Sequence, residues 1–225
     1  MLKGLGAAGS AYDRYMSNTS EPRPQMSVGR VEAFSDGVLA IAITLLILDV
    51  RVAEGEASLA HRMLDAWPQY FAYAVTFMVI GVMWVNHHAL FANVDRVDRG
   101  IQFVNLSLLA AISFLPFPTN VLAEHMRSSS KEDTIAAVVL YSLNCLLVAA
   151  AFFALWAYLG RRPHLLHGAV GQRHVRGSQR RALVGPIGYL AAIPLAYITP
   201  LLSLLVYGAL AVWFAFGNRH TSADS

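Results

Sequence analysis

The 225-residue chain has little of what marks a secreted domain or a soluble enzyme. It contains one cysteine, Cys145, so no intrachain disulfide can form. Charged residues make up only 14% of it, against about 25% in an ordinary soluble domain. Catalytic signatures are missing as well: there is no GxSxG elbow, no HExxH helix, no phosphate-binding loop and no glycine-rich dinucleotide fingerprint. Residues 1–27 scatter Gly, Ser and Pro among charges without the apolar stretch of a signal peptide, and read as a mobile cytoplasmic tail. No internal repeat is evident, which argues against two fused transporter halves.

Apolar residues are abundant: 56% of the chain, with a mean hydropathy of +0.48. They fall in long blocks, and about 20 consecutive apolar residues suffice to cross a bilayer. The pattern predicts an all-α polytopic membrane protein with spans at about 30–51, 67–90, 101–123, 134–159, 182–198 and 199–217. Together these make a six-helix domain over 28–218, followed by a short tail at 219–225. The last two spans share one apolar run, divided near Ala196 to Pro200, where Pro194 and Pro200 interrupt helical hydrogen bonding.

The formal charge of +3 does not call for nucleic acid, because the basic residues lie mainly in the tail and in links beside apolar spans. With six spans, all of the 17 Lys and Arg residues except Arg51, Arg62, Arg127 and Lys131 fall on one side. The positive-inside rule then places both termini in the cytoplasm and the protein in the cell membrane. The link from Arg161 to Arg181 carries six arginines and no acidic residue, as a topology determinant touching anionic lipid would.

The first span, RVEAFSDGVLAIAITLLILDV, holds polar residues that hydropathy does not explain. At about 100° per residue, Phe34, Ile41 and Leu48 share one stripe flanked by Thr44 and Leu45, and Asp36 lies well over 90° away. Two readings of Ile41, Thr44, Leu45 and Leu48 stay open: ordinary helix packing, the commoner cause of such spacing, or a pore wall closed by dewetting, with one hydroxyl ring. Asp36 needs a partner, since a carboxylate within a span costs about 3 kcal/mol on insertion scales. The second span returns Trp84, His87 and His88 to the depth of Asp36, and the third starts there with Asn105. Arg30, Asp36, His87, His88 and Asn105 are therefore expected to form one inter-helix network, with Arg30 as the buried partner of Asp36. His87 and His88 diverge by about 100° and cannot share one metal. His125 lies at the far end of its span, so no second haem ligand is evident and hydrogen bonding is the better role for the pair.

Beyond these arguments, the first-span segment resembles the signature of the transmembrane protein 175 family of potassium channels, in which an arginine precedes Phe-Ser-Asp and an apolar run. Here these are Arg30, Phe34, Ser35 and Asp36. MWVNHHALF, NLSLLAAISFLPFPTNVLAEH and LYSLNCLLVAAAFFALWAY extend the likeness over four spans. The single copy of the signature is similar to the prokaryotic members, one six-helix unit per chain. The resemblance implies a homotetramer in the lipid bilayer whose first helices line a potassium-permeable pore, with no re-entrant filter, no cofactor and no metal site. It implies a constriction at Ile41, a pore threonine at Thr44, further apolar layers at Leu45 and Leu48, and inter-helix contacts through Arg30, Phe34, Ser35, Asp36, Trp84, His87, His88 and Asn105. Gly37 departs from the bulkier residues that position tolerates.

A proton-coupled transporter relaying through Asp36 and His87 or His88 is the competing expectation. A membrane oxidoreductase holding haem on His87 or His88 is a third, and predicts a Soret band in the purified protein.

Overall fold

The computed structural model describes residues 26–126, 130–168 and 170–216. The tails expected at 1–27 and 219–225 lie almost entirely outside the described residues, as does Arg127. Among the described residues there is no β-strand, only an isolated antiparallel bridge between Val94 and Leu166. The helices are α1 (Val28–Leu46), α2 (Leu59–Asp65), α3 (Trp67–Phe91), α4 (Arg99–Ser113), α5 (Pro116–His125), α6 (Lys131–Arg161), α7 (Gln172–Ala182), α8 (Val184–Ile198) and α9 (Pro200–Phe216). Five segments are long and apolar enough to cross a membrane: Val28–Asp49, Trp67–Phe91, Arg99–His125, Lys131–Arg161 and Gln172–Ile198. The apolar stretch within α9, Leu205–Phe214, is shorter. The protein is thus an all-α, multi-pass membrane protein.

Local chemistry explains the boundaries. Asp98 caps α4, its Oδ1 accepting the Ile101 amide at 2.9 Å. Ser130 caps α6 by accepting from the Asp133 amide, and Glu132 and Asp133 in that first turn suit the positive end of the helix dipole. The third predicted span is two helices, because Pro116 opens α5 and the preceding turn tightens to i→i−3 bonds, Leu115 to Ile112 and Phe117 to Phe114. The last apolar run turns at Thr199, which Pro200 holds extended (φ −156°, ψ 133°). Pro194, by contrast, stays inside α8.

After that turn α8 and α9 run antiparallel. A Cβ on Gly185 would meet Phe214 and one on Gly188 would clash with Leu210, while the Ser203 hydroxyl donates to the Ala192 carbonyl at 2.7 Å. The long helix α6 is the hub, packing on α4 and α5 along one side and on α7 and α8 along the other. Its fully buried Val138, Tyr141, Cys145, Leu155 and Leu159 join Ile80, Leu90, Ile101, Leu108 and Ile112 in one apolar core. Several polar groups inside that core are paired with one another, Thr76 with Thr119 (3.1 Å) and with Tyr141 (3.2 Å), and Ser142 with Tyr207, whereas the buried amide of Asn144 has no hydrogen-bond partner among the described residues.

One end of the bundle is clasped by its links. The α3–α4 link is stitched to the α6–α7 link by the Asp95 and Arg96 amides donating to the Leu165 carbonyl and the His167 amide donating to Asn93. Beside that stitch, Asp98 Oδ2 accepts from Tyr158 (2.7 Å) and from Arg162 Nη1 (2.9 Å), and the Arg162 guanidinium lies 4.8 Å over the Tyr158 ring. Gly100 is what admits Tyr158, since a Cβ there would overlap the phenol oxygen. Partial burial of Asp98 favours its neutral form, but the Ile101 amide, the Tyr158 hydroxyl and Arg162 outweigh it and hold the carboxyl below its usual range.

Candidate functional site

Helix α1 packs on α3 and α4 through one face only. Val31, Ser35, Leu39, Ala42 and Leu46, spaced three and four apart, are the buried residues of that face. The other face meets nothing among the described residues. Phe34 is 56% exposed, Ile41 60% and Leu48 65%, with Leu45 and Thr44 exposed beside them. Packing among the described residues therefore does not account for the Ile41, Thr44, Leu45, Leu48 stripe. Leu48 sits in a 3-10 turn, Ile47–Asp49, that tightens the end of the helix. The Thr44 hydroxyl donates to the Ile41 carbonyl at 2.9 Å. Its proton is spent inside the helix, so the oxygen presents lone pairs outward.

The buried face carries a three-residue chain that joins three helices. Ser35 Oγ donates to its own helix at the Val31 carbonyl (2.8 Å), so it can only accept from Asn105 Nδ2 (2.9 Å). That fixes the amide: Asn105 Oδ1 faces His87 Nε2 at 2.9 Å, and the histidine nitrogen donates. His87 also stacks on Phe91, ring centroids 4.5 Å apart. All three side chains of the chain are essentially buried.

Asp36 stands outside it. Its Oδ1 accepts from the Trp84 indole N–H at 2.9 Å in an exposed position, and His88 faces Glu32 at 3.6 Å. The expected pairing of Asp36 with Arg30 is not made. Six residues at about 100° each set them about 120° apart around α1, so Arg30 points with the exposed stripe. The single network expected of Arg30, Asp36, His87, His88 and Asn105 is thus three separate contacts: Ser35–Asn105–His87, Asp36–Trp84 and Glu32–His88. Arg30 and Phe34 belong to none of them.

Sequence reasoning missed the contact of Glu32 with His88, although the two share a depth. It also missed the clasp of Asp98, Tyr158 and Arg162, of which only the Asp98 cap position left a local signal. Among the described residues no three His, Cys, Asp or Glu side chains gather as a metal site.

A family model described as the endosomal/lysosomal potassium channel TMEM175 matches residues 30–116, which hold most of α1, all of α3 and α4, and the Ser35–Asn105–His87 chain. A potassium channel of Streptomyces collinus is 46% identical over 192 residues, 84% of this chain and 92% of that protein. One from Chamaesiphon minutus is 38% identical over 203 residues, 88% of this chain and 98% of its own length. The crystal structure of a lysosomal potassium-selective channel TMEM175 homologue from Chamaesiphon minutus superimposes with a TM-score of 0.74 at 35% identity, covering 85% of this chain and 98% of that one. These relatives are ion channels, not enzymes, and this chain belongs to the TMEM175 family.

Proposed function

We propose that this protein is the subunit of a potassium-permeable cation channel in the cell membrane, a homotetramer with α1 of each copy lining the pore. The observation that carries the reading is the division of α1. One face is buried and fastened by Ser35, Asn105 and His87, while the stripe of Ile41, Thr44, Leu45 and Leu48, apolar apart from the Thr44 hydroxyl, has no partner among the described residues. Four such faces around an axis give a narrow apolar lumen. Ile41 is its constriction and Leu45 and Leu48 are further layers, which close by excluding water. Thr44 supplies one ring of oxygens whose lone pairs face inward, which suits a partly dehydrated cation and repels an anion. Potassium is cargo, and the pore needs no cofactor.

The same reading takes α8 and α9 as the fifth and sixth crossings, leaving both termini in the cytoplasm with the arginine-rich link. Selectivity over sodium is weak to moderate, because no rigid cage of carbonyls surrounds the ion. The names of the bacterial relatives support potassium as the permeant ion. A transporter relay through Asp36 and His87 or His88 is the weaker reading, since Asp36 is bonded to Trp84, His87 to Asn105, and His88 faces Glu32.

The test is flux from liposomes loaded with potassium. Ile41→Asn, which wets the constriction, raises the leak above wild type, and an unchanged flux argues against the pore position of Ile41. Single-channel steps in a planar bilayer separate a channel from a carrier. Reversal potentials under opposed potassium and sodium gradients then give the selectivity.

A further inference from the structure

The arginine-rich end of the bundle holds a cavity that the channel reading does not use. It measures about 130 Å³ and lies between α3, α6, α7, α8 and α9. Its long axis follows α3 from Val79 to Leu90, about 16 Å at 1.5 Å per residue. That is close to half of a hydrocarbon core about 30 Å thick, the depth of one leaflet. The wall is apolar along most of this length, with Phe152, Ala211 and Phe214 among the lining residues. All three are only partly buried, so the cavity opens to the surroundings of the bundle rather than being sealed in its core.

Apart from Cys145 and Tyr189, both buried in the wall, the polar lining groups are Ser178 and Arg181 of α7 and Asn86 near the C-terminal end of α3. Arg181 is half-buried, and among the described residues no carboxylate lies within ion-pair distance of it. The link that carries it has no acidic residue from Arg161 to Arg181. A guanidinium taken partly out of water without a counter-charge is costly, and the protein places this one at the mouth of an acyl-sized slot. Trp156, at the same mouth, is an amphipathic ring suited to the level of lipid headgroups.

We infer that this cavity is a binding site for an anionic phospholipid, one acyl chain lying along α3 from Leu90 toward Val79 and the phosphate on Arg181 and Ser178. The occupant is a membrane lipid rather than free phosphate, because the slot behind the arginine is apolar and of leaflet depth. The charge complement is local, and it is additional to any diffuse attraction of the link to an anionic surface.

Trp156 provides the readout. The protein is reconstituted in phosphatidylcholine vesicles containing a small fraction of either dibrominated phosphatidylglycerol or dibrominated phosphatidylcholine. The fluorescence lost by wild type is compared with that lost by Trp156→Phe, and the difference reports the cavity alone. Dibromo-phosphatidylglycerol is expected to quench the Trp156 component at about fivefold lower mole fraction than dibromo-phosphatidylcholine, the preference one arginine confers at an anionic surface. Arg181→Gln abolishes the preference, Arg181→Lys keeps most of it, and Ala211→Phe, which fills the slot, removes the Trp156-dependent quenching by both lipids.

Equal quenching by the two lipids in wild type overturns the inference, as does a preference that survives Arg181→Gln. Absence of Trp156-dependent quenching by either lipid overturns it in favour of a slot covered by protein. Stronger quenching by a brominated free fatty acid than by the phospholipid assigns the site to that ligand instead. The measurement needs no ion flux and both leaflets carry the same lipid, so it stands apart from the channel reading and from the orientation of the chain.

Discussion

Replacing Asn105 with leucine changes little in shape and removes the middle of the Ser35–Asn105–His87 chain. Ser35 keeps its bond to the Val31 carbonyl and loses only an incoming donor, so its share of the cost is small. His87 is left with a buried Nε2–H and no acceptor, a loss of about 1 to 3 kcal/mol. His87→Phe alone keeps the stacking on Phe91 but strands the Asn105 carbonyl oxygen, at a similar cost. In the double variant neither stranded group remains, so its cost falls short of the sum of the two singles. The shortfall should be about 0.6 to 1.7 kcal/mol, the range found for hydrogen bonds between membrane helices. The assay is unfolding in dodecyl maltoside micelles against increasing mole fraction of sodium dodecyl sulfate. All four members of the cycle are held at one protein concentration, because assembly contributes to apparent stability. Single costs that add within about 0.3 kcal/mol would refute the contact itself, since residues that share a bond couple and distant ones do not.

Other substitutions test the remaining contacts. Asp36→Ala should cost less than about 1 kcal/mol in the same assay, because it forfeits one exposed bond to Trp84; a loss of about 3 to 5 kcal/mol would reinstate a buried ion pair. Asp98 gives a pH signature: its carboxyl is held below the usual range by the Ile101 amide, Tyr158 and Arg162 against the opposing effect of burial. Its stabilisation is therefore fully present above about pH 4 and is lost as the pH falls through the folded value, so wild type should lose more melting temperature than Asp98→Asn between pH 5 and pH 3. Parallel curves for the two proteins would contradict this. Thr44→Val removes the proposed oxygen ring, and with contacts to charge worth about 1.5 to 3 kcal/mol each, potassium conductance should fall by about an order of magnitude while assembly is unchanged. Unaltered conductance in a planar bilayer would remove Thr44 from the ion path.

Hydropathy and helical arithmetic made most of this architecture legible. Period and length located the long apolar helices, and Pro200 marked the turn between the last two. The 100° rule separated the Ile41 stripe from Asp36, and the buried residues at 31, 35, 39, 42 and 46 lie on another side of the helix from that stripe. What pattern reading could not supply was the partner of each polar side chain. Placing His87, His88, Asp36 and Arg30 at one depth does not say which of them face each other, and the same 100° rule, applied to Arg30 and Asp36, sets them about 120° apart. The cut in the third span was equally hidden, because Pro116 and Pro118 start a helix as readily as they end one. The clasp at Asp98 depends on Tyr158 and Arg162, about 60 residues away, which no local signal connects to it.

The hydrogen bond from Thr44 to the Ile41 carbonyl also bears on biogenesis. On the proposed homotetrameric reading, a subunit leaving the insertion machinery carries a helix whose exposed face has not yet met its partners, and a bare hydroxyl there would seek any acceptor within reach. With that proton already committed to the backbone, the stretch from Ile41 to Leu48 can rest against acyl chains at less cost than a free hydroxyl would impose. On the same reading, the newly made chain can diffuse as a solitary bundle, and helix insertion and subunit association become separate steps in time.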